Sequence, residues 1–301
     1  MTNPIGWELY RSFLAVLDEG SLSGAARALG ITQPTAGRHI AALESALGQV
    51  LFTRSQTGLL ATDAALALRG YAQAMQSNAA ALQRAAAGHG AGIAGTVRIS
   101  ASEVIGIEVL PAALAQLRRD HPRLTIELAP TNRVQNLLLR EADIAVRMAP
   151  PSQEQLIARS VGAVDIGLFA HKDYLRRHGT PSTPADLAGH ALIGYDAETP
   201  FLRNARKRFP VPAWNRDAFA LRADSDLAQL ALIRAGAGIG TCQAALARRD
   251  KALVRVLPRD VAFPLETWIT MHEDLRASPR CKAVFDALAD CLLAHTGTPA
   301  A

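Results

Sequence analysis

With 301 residues, 49% of them hydrophobic and 20% charged, the chain has enough apolar material for two or three separate cores, which excludes a disordered or disulfide-stapled protein. Aromatics are sparse at 5%, so Ala and Leu do most of the filling, and that balance suits a helix-rich or α/β protein better than an all-β one. The net charge of +5 permits a nucleic-acid partner without requiring one, because residues 1–90 hold six Arg and no Lys against five acids.

The opening residues, Met1 to Tyr10, lack the basic and apolar regions of a signal peptide. No run of about 18 apolar residues occurs either, so a cytoplasmic protein without a membrane partner is expected. Cys242, Cys281 and Cys291 are odd in number and lack metal-ligand spacing, which is the pattern of reduced structural thiols.

The spacing of Tyr10, Phe13, Leu14 and Leu17 predicts a first helix from Trp7, with Gly20 free to close it in the left-handed conformation. Ser21 is a natural N-cap for a second helix with an apolar stripe of Leu22, Ala25, Ala26 and Leu29, which Gly30 ends. Thr32 caps a third, with Pro34 in its first turn and Ala36, Ile40, Leu43 and Leu47 on one face. Gln33, Thr35, Arg38 and His39 then lie elsewhere, toward solvent. Two short helices joined at a glycine, the second with polar side chains at its start, describe a helix-turn-helix, although a small three-helix packing unit with a solvated face has the same pattern. Gln and Arg at such a position pair bidentately with base edges in the major groove. Val50–Arg54, a polar turn at Ser55–Gly58 and Leu59-Leu60 read as a β-wing, with Arg54 placed to reach phosphate or the minor groove.

The stretch from Phe13 to Arg54 resembles the N-terminal signature of LysR-type regulators. The matching elements are Gly20-Ser21-Leu22-Ser23, Ala25-Ala26, Leu29, Thr32-Gln33-Pro34, Leu43-Glu44, Leu47-Gly48 and Leu51-Phe52-x-Arg54. Two departures stand out. Gly37 occupies a position where the family usually has Ser, and Ala61-Thr62-Asp63-Ala64-Ala65 replaces the usual Leu-Thr-Pro-Ala-Gly. The candidate DNA contacts are Ser21, Ser23, Thr32, Gln33, Pro34, Thr35, Gly37, Arg38, His39 and Arg54.

From Asp63 to about Ala87 an Ala-rich helix is predicted, with Leu68, Met75 and Leu82 spaced by seven beside a row of Ala64, Tyr71, Asn78 and Ala85. An ordinary amphipathic helix explains this pattern as well as a seam between two chains does. The resemblance favours the seam, because LysR-type proteins dimerise through a linker helix here. Gly88–Gly92 follows as a hinge.

Short strands and helices then alternate. Strands are predicted at Thr96–Ser100, Leu124–Leu128, Asp143–Arg147, Asp165–Ala170, Ala191–Tyr195, Phe219–Ala223, Leu253–Leu257 and Leu265–His272. Helices are predicted at Val104–Arg119, Arg133–Arg140, Leu227–Arg234, Gln243–Arg248 and Pro279–His295. Two successive βαβ sets, linked near Leu156–Val164 and Pro258–Thr267, suggest a two-lobed α/β unit. The fold class is therefore α/β with an N-terminal winged helix-turn-helix. The resemblance implies a periplasmic-binding-protein-like effector domain. The expected bounds are 1–61 for the winged helix-turn-helix, 62–92 for linker helix and hinge, and 93–301 for the effector domain. Lobe I would take about 93–160 and 267–301, and lobe II about 161–266.

Ligands of such folds sit at the carboxyl ends of strands, between lobes. Ser100-Ala101-Ser102 joins the first strand to the first helix, where hydroxyls and helix-start amides converge on an anion, unless Ser102 only caps the helix. Asn132 with Arg133, and Arg147 at a strand end, add candidate partners for a carboxylate, although both arginines also suit a solvated surface. Tyr195, Asp224 and Ser225 face them from the second lobe, and Asp224 and Asp226 are also ordinary helix-start acids. Gly236–Gly240 joins a helix to a strand, the reverse of a nucleotide loop, and reads as tight packing.

No Gly-x-Ser-x-Gly, His-Glu-x-x-His, Walker A or metal-spaced Cys/His set occurs, and His171, His178, His190 and His272 are scattered. A regulator without cofactor, metal or enzymatic activity is the expected function. Its candidate partners are double-stranded DNA, further copies of itself as homodimer or homotetramer, a small anionic or zwitterionic effector, and RNA polymerase. The alternatives are an α/β small-molecule-binding or enzymatic domain with an accessory helical segment, and an architectural DNA-binding protein that needs no effector.

Overall fold

The computed structural model describes residues 5–55, 58–86, 93–132, 141–151, 155–198, 203 and 215–298. The chain divides into two units, the first formed by the segment ending at Ala86 and the second beginning at Ala87.

The first unit is built from α1 (Trp7–Glu19), α2 (Leu22–Leu29), α3 (Gln33–Leu47), the hairpin β1 (Phe52–Ser55) and β2 (Gly58–Ala61), and α4 (Asp63–Ala86). Local signals set these helix lengths. The Ser21 hydroxyl accepts a hydrogen bond from the Gly24 amide at 3.1 Å, and the Thr32 hydroxyl accepts one from the Thr35 amide at 3.3 Å. Gly30 has φ +66°, the left-handed conformation that turns the chain from α2 into α3 without a Cβ penalty. Phe13, Leu14, Ala25, Ile40, Leu43, Leu51 and Phe52 fill the core, and the rings of Phe13 and Phe52 lie 5.8 Å apart. Glu44 ties the wing to α3, because its Oε1 accepts from the amides of Leu51 at 2.7 Å and Phe52 at 3.2 Å. Thr62 caps α4 by accepting from the Ala65 amide at 3.2 Å and donates to the Val50 and Leu51 carbonyls.

Helix α4 corrects one expectation. It begins inside the first unit, where Ala65 and Ala72 are buried in the core and Leu68 packs against them. Leu68 therefore does not belong to a free seam with Met75 and Leu82, because the core of the first unit covers the first turns of α4. The apolar side chains exposed along α4 are Leu66, Tyr71, Met75 and Leu82. The hinge expected at Gly88–Gly92 lies outside the described residues.

In the second unit nine strands form one sheet among the described residues: β3 (Gly95–Ala101), β4 (Leu124–Pro130), β5 (Ile144–Arg147), β6 (Leu156–His171), β7 (Leu192–Gly194), β8 (Phe219–Arg222), β9 (Ile239–Gln243), β10 (Leu253–Val256) and β11 (Ala262–His272). Their order is β4-β3-β5-β11-β6-β9-β7-β8, with β10 also on β6. The parallel pairs, β3 with β4 and β5, and β7 with β8 and β9, are short apolar runs such as Ile144-Ala145-Val146 that suit burial on both faces.

The antiparallel pair β6 and β11 runs through both lobes. Near Leu156 it lies beside β5 in lobe I, and near His171 strand β6 pairs β9 and β10 in lobe II. The register breaks between Glu266 and Trp268, opposite Gly162 at φ +89°, where a Cβ would meet Thr298 Oγ1. This bulge falls at the lobe boundary expected near residues 160 and 267. A single strand of 16 residues thus replaces the two separate elements expected at Leu156–Val164 and Asp165–Ala170, because nothing breaks the backbone ladder at Val164.

The helix expected at Val104–Arg119 is also divided. A π turn, Ile105–Val109, leads into α5 (Pro111–Asp120), since Pro111 has no N–H to continue an α-helical ladder. The remaining helices are α6 (Lys172–His178), α7 (Asp226–Arg234), α8 (Ala244–Ala247) and α9 (Pro279–Thr296), with short 3₁₀ turns at Pro184–Gly189, Arg216–Ala218 and Glu273–Leu275. The helix expected at Arg133–Arg140 lies outside the described residues. The glycine-rich link from α7 to β9 is tight packing, because a Cβ at Gly238 would lie 2.3 Å from the Ala191 carbonyl. One apolar cluster joins the lobes, bringing Ile105, Val109 and Leu110 together with Leu230, Ile233 and Leu246. No helix among the described residues is long and apolar enough to cross a membrane.

Candidate DNA interface and effector cleft

Helix α3 turns Ala36, Ile40 and Leu43 into the core and leaves Gln33, Pro34 and Arg38 exposed at its start. Several hydroxyls around them are already engaged. Thr32 Oγ1 and Thr35 Oγ1 lie 2.9 Å apart, Arg38 donates to Thr35 Oγ1 at 3.2 Å, and Ser23 Oγ lies 3.5 Å from the capping Ser21 Oγ. Arg54 stands exposed on the wing, across the hairpin from Leu59. Gly37 packs loosely, since a Cβ there would find only Leu22 Cδ1 at 3.6 Å, so the interior of the unit does not demand glycine. His39 departs from its expected outward position. Its Nδ1 lies 2.7 Å from the hydroxyl of buried Ser12, and this bond turns the ring toward α1.

In the second unit, Ser100 and Ala101 at the end of β3 are fully buried. The Ser100 hydroxyl accepts from Arg147 Nη2 at 2.6 Å, and burial pushes the Arg147 guanidinium below its ordinary range. Ser102 is half-buried at the start of the following segment. Asn132 bridges the lobes. Its Oδ1 accepts from the Glu103 amide at 3.1 Å, and its Nδ2 donates to Asp226 Oδ2 at 2.7 Å. Asp226 also accepts from the Tyr195 hydroxyl, and Ser225 Oγ donates to Glu103 Oε2 at 2.9 Å. Burial, reinforced by Asp226, pushes the Tyr195 phenol up, so it stays a neutral donor at neutral pH.

Hydrogen bonds thus join Ser100 to Arg147 within lobe I, and link Asn132 and Glu103 of lobe I to Asp226 and Ser225 of lobe II, with Tyr195 on Asp226. Asp224 does not join this network: its Oδ1 accepts from the amides of Asp196 at 3.0 Å and Ala197 at 2.8 Å, which commits it to the turn after β7. Arg133 lies outside the described residues. Glu103, which meets Ser225 across the lobes, was not among the residues singled out from the sequence. Its only signal was an acid beside the serine at the start of a helical segment. No group of three or more His, Cys, Asp or Glu side chains able to hold a metal occurs among the described residues.

Two family models match this chain. "Bacterial regulatory helix-turn-helix protein, lysR family" covers residues 7–66, and "LysR substrate binding domain" covers residues 90–292. The chain belongs to the LysR family of bacterial transcription regulators. It is 26% identical over 291 residues to the "Probable HTH-type transcriptional regulator LtrA" of Klebsiella pneumoniae, covering 92% of each chain. Among solved structures it shares the fold of CrgA from Neisseria meningitidis, at 23% identity and TM-score 0.60, over 97% of this chain and 99% of that one. It also shares the fold of full-length CbnR complexed with its target DNA, at 21% identity and TM-score 0.64, over 95% of this chain and 99% of that one. Within this LysR-type regulator, the winged helix-turn-helix is the DNA-binding part and the α/β unit is the effector-binding domain. Its relatives are regulators of transcription and not enzymes.

Proposed function

We propose that this regulator reads its operator with Gln33 and Arg38, positioned by Thr35, while Arg54 on the wing holds the phosphate backbone. The observation that supports this is the division of α3 into a buried face at Ala36, Ile40 and Leu43 and an exposed polar start. Two such heads act together on a partly palindromic site, in a homodimer or homotetramer joined along the exposed α4 side chains Tyr71, Met75 and Leu82. The protein works in the cytoplasm, where RNA polymerase is a further partner. Gel shifts with the intergenic DNA beside the gene test the reading. Gln33→Ala and Arg38→Ala each weaken specific binding by about 1–3 kcal/mol, roughly 5- to 150-fold, and random DNA far less. Arg54→Ala weakens both DNAs alike and flattens the salt dependence by about one unit. Operator binding unchanged by Gln33→Ala would refute this docking, and a monomer by light scattering at micromolar concentration would refute the pairing.

The effector is a small zwitterion. Ser102 and the half-buried Arg147 beside Ser100 take its carboxylate, Glu103 of the same lobe takes its ammonium, and Asp226 faces it from the other lobe. Asp226 thereby replaces Asp224, whose carboxylate is held by backbone amides. A panel of amino acids and carboxylic acids in thermal-shift assays is expected to give stabilisation that Ser100→Ala/Ser102→Ala abolishes while basal DNA binding stays intact. A full response in that double variant would place the effector elsewhere.

A further inference from the structure

Helix α3 contains four alanines, Ala36, Ala41, Ala42 and Ala46, and a single glycine, Gly37, which stands one turn beyond Gln33 and next to Arg38. A glycine inside a helix weakens it relative to alanine, because it gives up more backbone freedom on folding. Where the fold needs a glycine the reason is visible: Gly48 closes α3 at φ +66°, a conformation that disfavours a Cβ. Gly37 has no such reason. Its backbone is ordinary helix, and among the described residues a Cβ there would meet only Leu22 Cδ1, at 3.6 Å, which is normal contact. The position is half-buried, on the flank of α3 between the core residue Ile40 and the exposed Arg38. The helix spends the amide and carbonyl of Gly37 on its own ladder, so this flank presents bare C–H surface.

We propose that Gly37 determines specificity: where a side chain would stand, the methyl group of one operator thymine packs against the bare backbone of α3, beside the bases met by Gln33 and Arg38. The occupant is that methyl because C–H surface offers neither donor nor acceptor, and thymine carries the only apolar group on the base edges of the major groove. A Cβ at position 37 would claim the same space. The proposal rests on the docking of α3 given above and adds to it one base that no side chain touches.

Moving one methyl group between protein and DNA tests it. The site footprinted in the intergenic DNA is synthesised with each thymine in turn replaced by deoxyuridine, which lacks the methyl and keeps the base pair. Wild type is expected to lose about fourfold in affinity at the contacted thymine of each half-site, the worth of one buried methyl group. Gly37→Ala binds the thymine operator about tenfold more weakly, and recovers most of that loss on the deoxyuridine operator, because its Cβ then fills the vacated space. Its binding to random DNA stays at the wild-type level. Thermal unfolding of the first unit is the control for misfolding: alanine shifts the folding equilibrium about 2- to 5-fold toward the folded state. Operator binding as tight as wild type, an equal loss on random DNA, or no recovery with any deoxyuridine would each overturn the proposal. A destabilised first unit would overturn it too, since the fold itself would then demand glycine. Gln33→Ala, measured alongside, separates this failure from that of the docking. Weakened binding by Gln33→Ala but not by Gly37→Ala leaves the docking standing and removes Gly37, whereas wild-type binding by both removes the docking as well.

Discussion

Replacing Phe13 with alanine is expected to remove about 3–5 kcal/mol from the stability of the first unit. Phe13 is 1% exposed, belongs to α1, and stacks at a tilt against Phe52 at the base of the wing, so its ring joins the helical and hairpin parts of one small core. A unit of this size is stabilised by only about 5–15 kcal/mol, so the loss consumes a large fraction of the total. The consequence reaches function without any DNA contact being touched. Operator binding weakens because α3 loses the support that orients Gln33 and Arg38, while the second unit, with its own core, keeps its melting behaviour. Hydrogen exchange of α1 and α3 amides measured beside those of α9 separates the two units. Unchanged protection in α1 would show that the core relaxes around the cavity.

The second large effect is a loss of stability in acid, centred on His295. Its Nε2 lies 2.8 Å from Gln243 Oε1, and its Nδ1 lies 3.4 Å from Arg249 Nη2. A guanidinium only donates, so Nδ1 is the acceptor, Nε2 carries the proton, and the buried ring is neutral. Burial first, then Arg249 and Arg248, pushes its pKa from 6.5 down to about 4. As pH falls below 6.5 the unfolded chain takes up a proton that the folded chain refuses, so stability declines until about pH 4, where the folded ring is protonated too. The drop from 6.5 to about 4 corresponds to about 3.5 kcal/mol, at about 1.4 kcal/mol for each tenfold change in proton affinity. Urea unfolding followed by exchange at α9, repeated from pH 7 to pH 4, is expected to show this slope in wild type and a slope smaller by about one proton in His295→Gln. Parallel curves for the two proteins would remove His295 from the account.

The sequence by itself determined the first unit almost completely, because every signal there is local. The capping hydroxyls of Ser21 and Thr32 act within three residues, Gly30 ends α2 where no Cβ is tolerated cheaply, and the 3.6-residue spacing of Ala36, Ile40 and Leu43 selects the buried face of α3. The same locality made the alternation of strands and helices in the second unit readable. His39 escaped because its partner, Ser12, lies 27 positions away on α1, a contact that no periodicity announces.

Only the tertiary structure decided the contacts between the lobes. Asn132 meets Asp226 across 94 positions, Ser225 meets Glu103 across 122, and Arg234 meets Glu108 across 126. Asp224 and Asp226 look alike as acids at the start of a helix, yet one is spent on backbone amides and the other on the side chains of Asn132 and Tyr195. The physical reason is that a side chain's hydrogen-bonding role depends on which donors the fold delivers to it. Propensity and spacing carry that information over a few residues, and the packing of distant strands and helices carries it over the whole unit.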